Sequence, residues 1–456
     1  MMKRRYGVIF LAVLVALGFA VGGYLWMVKR YDYPLAAYDV AEVAARYRQA
    51  GLPWEAKDLA PEKPVSDAEN AAPLIHKAMA MRTPPYDYKK MGLWSYAIQE
   101  RQFGSVLKDL AKFDPVLKVA IQASKRPRLD FHWDLDMSYW MTFKEFAPVK
   151  TWVRYLTRRA EAKAGLGDVD GALDDLRAGW RLADLMGQEP LLFGLLFRIG
   201  CESIVMAGVE NCAWLLKDRP EALRRLDDVL ANRSPYEHAR VVVADAYCAL
   251  AGLRNTVNIE AIDFAHEDSE NPTIPIMRTP LQRTGLPDGL KARAYAAQSM
   301  RMWIEAKLIL DRYGKDPEEL YPRLQALGDR YGKKEQPSFA LNQNELATDF
   351  SDSFLRADAQ RNTKRALLAA LLVRARTGRM PTRIAEIPGK WIDPYTKQPL
   401  RIATADGGWR IYSVGRNRKD DGGLALGADD IPAYFPPRHL WLRPDGIVTV
   451  YKPEGK

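Results

Sequence analysis

TWVRYLTRRAEAKAGLGDVDGALDDLRAGWRLADLM, residues 151–186, is the stretch from which the fold class follows. Trp152, Tyr155, Leu156, Ala160 and Ala164 recur at intervals of three and four, the spacing of one face of an α-helix. The period breaks at Gly165-Leu166-Gly167-Asp168, a turn by composition, and resumes with Ala172, Leu173, Leu176 and Trp180. The spacing predicts two antiparallel helices, with small side chains at Ala160, Gly165 and Ala172 allowing a close approach.

This hairpin resembles a tetratricopeptide repeat, a helix-turn-helix unit of about 34 residues. No second copy with the full pattern follows. Further helices are expected at residues 190–216, 220–231 and 235–253, so the middle of the chain reads as an irregular helical array. Upstream, residues 36–50 space Val40, Val43, Ala44 and Tyr47 as an amphipathic helix, and a proline-rich loop occupies residues 52–65. Ser66-Asp67-Ala68-Glu69 reads as a capping box opening the next helix, with two more helices before Ser124.

Residues 128–146, RLDFHWDLDMSYWMTFKEF, are dense in aromatics. His132, Trp133, Asp134, Asp136, Tyr139 and Trp140 could line a groove that stacks sugar rings and holds a carboxylate pair. A packed core edge is the competing reading. Downstream, residues 255–293 are broken by Pro272, Pro275, Pro280, Gly285, Pro287 and Gly289 into a long surface excursion. Its Asp263, His266, Glu267, Asp268 and Glu270 lack the spacing of a metal site and read as a solvated acidic loop. Helices resume over residues 292–313 and 317–331, and a polar linker is expected through Asn342 and Asn344.

At the N-terminus, residues 7–28, GVIFLAVLVALGFAVGGYLWMV, carry no charge. A helix of this length spans roughly 33 Å at ~1.5 Å per residue, enough for a bilayer core. Lys3, Arg4 and Arg5 before it, Lys29 and Arg30 after it, and Tyr24 and Trp26 at its end fit a single-pass inner-membrane anchor with an extracytoplasmic bulk. A cleaved signal peptide, with Gly18-Phe19-Ala20 as the processing site, is the alternative.

The last segment has another character. Residues 361–377 space Ala366, Leu367, Ala370 and Leu371 as a helix ending at Gly378, and short β-like runs follow at residues 400–402 and 409–414. Another pair is expected at residues 439–442 and 447–451, joined by Arg443-Pro444-Asp445-Gly446. Gly378-Arg379-Met380-Pro381, Asp393-Pro394-Tyr395, Pro399-Leu400, Ile411-Tyr412-Ser413-Val414-Gly415, Asp420-Asp421-Gly422-Gly423 and Asp429-Asp430-Ile431 occur in that order. Together they resemble the globular head of the major pseudopilins of type II secretion. The resemblance implies a calcium-binding loop, with Asn417 in place of the family's first aspartate, Asp429 and Asp430 later, and Asp420 and Asp421 as further oxygen donors. An amide at Asn417 keeps an oxygen ligand but removes a charge. The chain also departs from a true pilin: taking Gly7 as the processing glycine, the fifth position is the apolar Ala12, and over 300 residues separate anchor from head.

The expected architecture is mainly α: an N-terminal transmembrane helix (residues 1–30 with its cytoplasmic tip), an irregular tetratricopeptide-like array (31–345), and a small α+β pseudopilin-like head (346–456). Net charge of +10 with no basic block argues against nucleic acid. Cys201, Cys212 and Cys248 are too few for a disulfide framework, and Cys201 and Cys212 fall about 16 Å apart along one helix. No P-loop, dinucleotide glycine motif, Gly-X-Ser-X-Gly elbow, CxxC or HExxH is present. These features point to a membrane-anchored protein that binds or scaffolds envelope or secretion-related partners. An exported enzyme acting on wall or glycan polymers is the alternative, with His132, Asp134 and Asp136 as its weak catalytic candidates.

Overall fold

The computed structural model describes residues 40–59, 64–81, 88–135, 143–257, 288–314, 317–332, 338–405, 408–423 and 431–435, with Gly22. The expected anchor over residues 7–28 lies outside the described residues, Gly22 apart, and the acidic loop at 263–270 and the strand pair at 439–451 lie wholly outside them.

In chain order the helices are α1 (Val40–Gln49), α2 (Ala72–Ala80), α3 (Tyr88–Gln99), α4 (Phe103–Leu110), α5 (Asp114–Ser124), α6 (Phe146–Gly165), α7 (Val169–Met186), α8 (Leu192–Leu215), α9 (Pro220–Ala231), α10 (His238–Val257), α11 (Asp288–Tyr313), α12 (Pro317–Gly332) and α13 (Ser338–Thr377). Strands β1 (Arg401–Ala405), β2 (Gly408–Ser413) and β3 (Ile431–Phe435) form one antiparallel sheet in that order. The described chain is therefore mainly α with a small antiparallel sheet. It divides into two compact units.

The first unit gathers residues 1–60, 134–141 and 238–351. Within it α11 packs against α1, α10 and α12. Val43 and Tyr47 of α1, Trp303 of α11 and Leu320 of α12 are buried, each on the apolar face that its periodicity marks.

The second unit gathers residues 61–133, 142–237 and 352–456. At its centre α6 and α7 form the expected hairpin, and α8 packs against both. All nine apolar positions that predict the hairpin are buried. Fully burying a side chain as large as Trp152 contributes about 2–3 kcal/mol. Gly167 turns the chain with φ +84°, and Asp168 caps α7 by accepting the Gly171 N–H at 2.9 Å. Gly165 has a different purpose from the one expected of it: a Cβ there would lie 2.3 Å from the Phe103 ring, so the close approach is to α4 and not to α7. The hairpin is also bound by charge. Asp175, buried on α7, takes Arg159 of α6 in a two-pronged pair at 2.6 and 2.9 Å and Lys163 at 2.8 Å.

The capping box is not formed. Ser66 Oγ bonds the Glu69 carboxylate at 2.7 Å, but α2 begins only at Ala72, whose N–H goes to Asn70 Oδ1 at 3.0 Å. Proline at the first turn of α2 defines its start instead.

The polar linker expected through Asn342 and Asn344 is helical: α13 runs continuously through both, and the 345/346 division drawn from sequence falls inside it. A helical asparagine costs only about 0.7 kcal/mol relative to alanine, too little to end a long helix. From Asp352 onward α13 belongs to the second unit, where Lys364 pairs with Glu210 of α8, Arg365 with Asp227 of α9 and Arg374 with Asp218. Trp409 and Ile411 of the sheet and Leu367 of α13 join the same hydrophobic cluster as Trp152. Strand β3 was not legible because Pro432 interrupts it. An edge position tolerates proline, and Glu210 and Lys364 cover that edge by accepting the Tyr434 N–H at 2.7 Å and donating to the Pro432 carbonyl at 3.1 Å.

Candidate functional site

In the second unit, two regions singled out by sequence carry side chains of chemical interest. The first is the aromatic segment. Asn70 secures its start: the side chain donates to the Asp130 carbonyl at 2.8 Å and accepts the Asp130 N–H at 3.0 Å. Gln188 and Glu189 accept the N–H groups of Leu129 and Phe131 at 3.0 Å each. Backbone groups with no helix or sheet partner are thereby satisfied.

From this base Phe131 stacks on Trp133 with ring centroids 5.3 Å apart, and Trp133 meets Phe143 at 4.9 Å. The series continues through Phe143 to Phe193 at 4.7 Å, while Phe146 stacks on Phe197 at 4.5 Å. Phe146 is buried, whereas Phe193 is 48% exposed. The segment thus packs as a core edge, and Phe193 of α8 leaves one ring of the cluster open to solvent. Lys144 is exposed beside it, and Lys150 lies over the Phe197 ring at 5.9 Å.

His76 and Glu145 sit at the same place. Their side chains meet at 3.2 Å, and the His76 ring lies 5.6 Å from Phe131. Glu145 is only 3% exposed, and its second carboxylate oxygen is buried without a hydrogen-bond partner. Glu145 is the residue that precedes the first turn of α6. Sequence reasoning missed this pair because the two residues are 69 apart in the chain.

Of the expected carboxylate pair only Asp134 is among the described residues. Asp134 is exposed and belongs to the other unit, and Asp136 lies outside the described residues, as do Tyr139 and Trp140. His132 is exposed, with φ 54°, and its ring faces the Asp130 carboxylate at 3.2 Å.

The second region is the loop after β2. Asp393 is buried and organises it, taking Ser413 Oγ at 2.9 Å, the Val414 N–H at 2.9 Å and the Tyr395 N–H at 2.8 Å. This joins the Asp-Pro-Tyr turn to the Tyr-Ser-Val-Gly strand. Burial raises the Tyr395 phenol well above its ordinary range, with the Asp352 carboxylate adding to it. Asp420 accepts from Tyr412 OH at 2.9 Å and Gly422 N–H at 3.0 Å, and it pairs with Arg401. Burial alone would raise Asp420, yet these three donors hold its carboxyl below the usual range. Asn417 Oδ1 accepts the Lys419 N–H at 2.7 Å, and its amide nitrogen donates to Asp421 at 2.9 Å.

Each of the described candidate calcium ligands is engaged within the protein. The Asp420 carboxylate already faces a guanidinium, and the Asn417 oxygen is engaged by backbone. Among the described residues no three His, Cys, Asp or Glu side chains converge as a metal site. Asp429 and Asp430 lie outside the described residues.

One described helix, α8, is long and apolar enough to cross a membrane; it is in mid-chain, and 56% of its most apolar window is buried within the protein. It carries the buried pair Arg198 and Glu202, 2.8 Å apart, and Arg198 also reaches Asp184 of α7 at 3.1 Å. Packing against α6 and α7 accounts for its apolar character.

Comparison with protein-family models, curated proteins and solved structures finds no match to this chain.

Proposed function

We propose that this chain is an anchored binding protein: residues 7–28 hold it in the inner membrane, the bulk lies outside the cytoplasm, and the helical array docks a protein partner of envelope or secretion machinery. The observation that carries the reading is the aromatic face ending in Phe193, 48% exposed and flanked by Lys144 and Lys150. Aromatic side chains supply large contact area at low entropic cost, and burying Phe193 would recover surface now facing water. The lysines and the net charge of +10 favour an acidic segment with apolar side chains as the occupant.

The test is affinity capture from membranes with the full chain, with a Phe193→Asp variant and with the anchor alone. The expected result is a partner enriched by the full chain, weakened by added salt and lost with Phe193→Asp. Capture no better than with the anchor alone sinks the reading.

A calcium ion in the C-terminal loop is part of the same proposal. Its support is the order of the pseudopilin-like motifs and the presence of Asn417, Asp420 and Asp421 in one loop, with Asp429 and Asp430 following in the sequence. Arg401 is the competing cation.

A further inference from the structure

We propose that a cavity bordered by α3, α6 and α8 is a binding site for a small aromatic carboxylate that also carries a hydrogen-bond donor. The cavity has a volume of ≈ 270 Å³. Small-molecule sites generally span about 300–1,000 Å³, so the space suits a single ring with its substituents.

Its lining is chemically divided. Ile98, Trp214 and Leu215 provide apolar and aromatic surface, Arg101 and Arg158 provide positive charge, and Gln99 provides an amide. Arg158 is balanced by Glu161 at 2.5 Å, and the other oxygen of that carboxylate is taken by Asn211 at 2.9 Å. Arg101 pairs with no carboxylate among the described residues, so the site keeps a net positive charge. Gln99 Oε1 is buried with no hydrogen-bond partner, and a turn of this side chain toward the cavity would let it accept from a ligand hydroxyl or N–H.

The backbone supplies a second argument. Just beyond the end of α3, Arg101 is in the left-handed region, φ 58°, with its N–H on the Ile98 carbonyl at 3.1 Å and the Gln102 N–H on the Ala97 carbonyl at 2.7 Å. Glycine fits that position without strain. An arginine there places its charge at the cavity at the expense of backbone comfort, as strained residues at ligand sites do.

The probe is 4-hydroxybenzoate, whose carboxylate suits the two guanidinium groups, whose ring suits Trp214 and whose hydroxyl suits Gln99 Oε1. Isothermal titration of the full chain is expected to show saturable binding, and none for 4-hydroxybenzyl alcohol, which lacks the charge. Arg101→Gly relieves the strained turn and so keeps the fold, yet it is expected to weaken binding roughly tenfold or more, the loss of one charge-assisted hydrogen bond. Gln99→Leu is expected to abolish the preference for 4-hydroxybenzoate over benzoate. Absence of saturable binding, equal binding of the uncharged alcohol, or undiminished binding by Arg101→Gly overturns the proposal. A preference that survives in Gln99→Leu overturns the assignment of the donor.

Discussion

Gly165 shows how a correctly noticed residue can have an unexpected neighbour. A small side chain at a helix end suggests a close approach, but spacing along one hairpin cannot name a partner from α4. Gly165→Ala is expected to cost about 1–3 kcal/mol by overpacking against Phe103, read as a lower urea midpoint. Phe103→Leu in the same chain should recover part of that loss, and a purely additive pair would show that the contact is not the cause. Asp420 makes a prediction in pH. Its folded-state carboxyl lies below its ordinary value of 3.8, so its contribution is present above that value and is lost as pH falls through the lower folded one. Unfolding midpoints measured from about pH 5 downward should therefore decline less steeply in Asp420→Asn than in the parent chain. An unchanged slope would remove Asp420 from the acid-sensitive groups.

Among the elements, the hairpin was the most legible because local periodicity determines it. Nine apolar residues at helical spacing all proved buried. What spacing could not reveal is the charge inside. Asp175 follows the exposed Asp174 in the sequence, yet it is buried against Arg159 and Lys163. Asp175→Asn leaves both cations short of their counter-charge and is expected to cost about 3 kcal/mol or more, measured by urea unfolding. A loss under a tenth of that would mean that water reaches the pair. Strand β3 and the His76–Glu145 pair were illegible for another reason. Pro432 disguises the strand, and 69 residues separate the two members of the pair.

For the molecule as a whole, the distinction between helical array and small sheet could be read in the sequence. Their shared core could not, because the contacts joining Trp152, Leu367 and Trp409 through one cluster are remote in sequence. Calcium would act on the stability of the whole chain, since a ligand bound only by the folded state raises the melting temperature by mass action. The full chain should melt higher in millimolar calcium than in EGTA, with the difference lost in an Asp429→Ala, Asp430→Ala variant. Equal melting in both conditions would leave Arg401 as the cation that neutralises the loop.

All three cysteines are buried and none is bonded to another. The native chain therefore offers a quiet background for thiol chemistry, because a folded-state maleimide meets no accessible sulfur. A single cysteine introduced at Lys3 or at Lys29, at opposite ends of the apolar stretch, would be the reactive one. A membrane-impermeant reagent applied to intact cells or spheroplasts would then report which end faces outward, with no need to strip the protein of its own thiols.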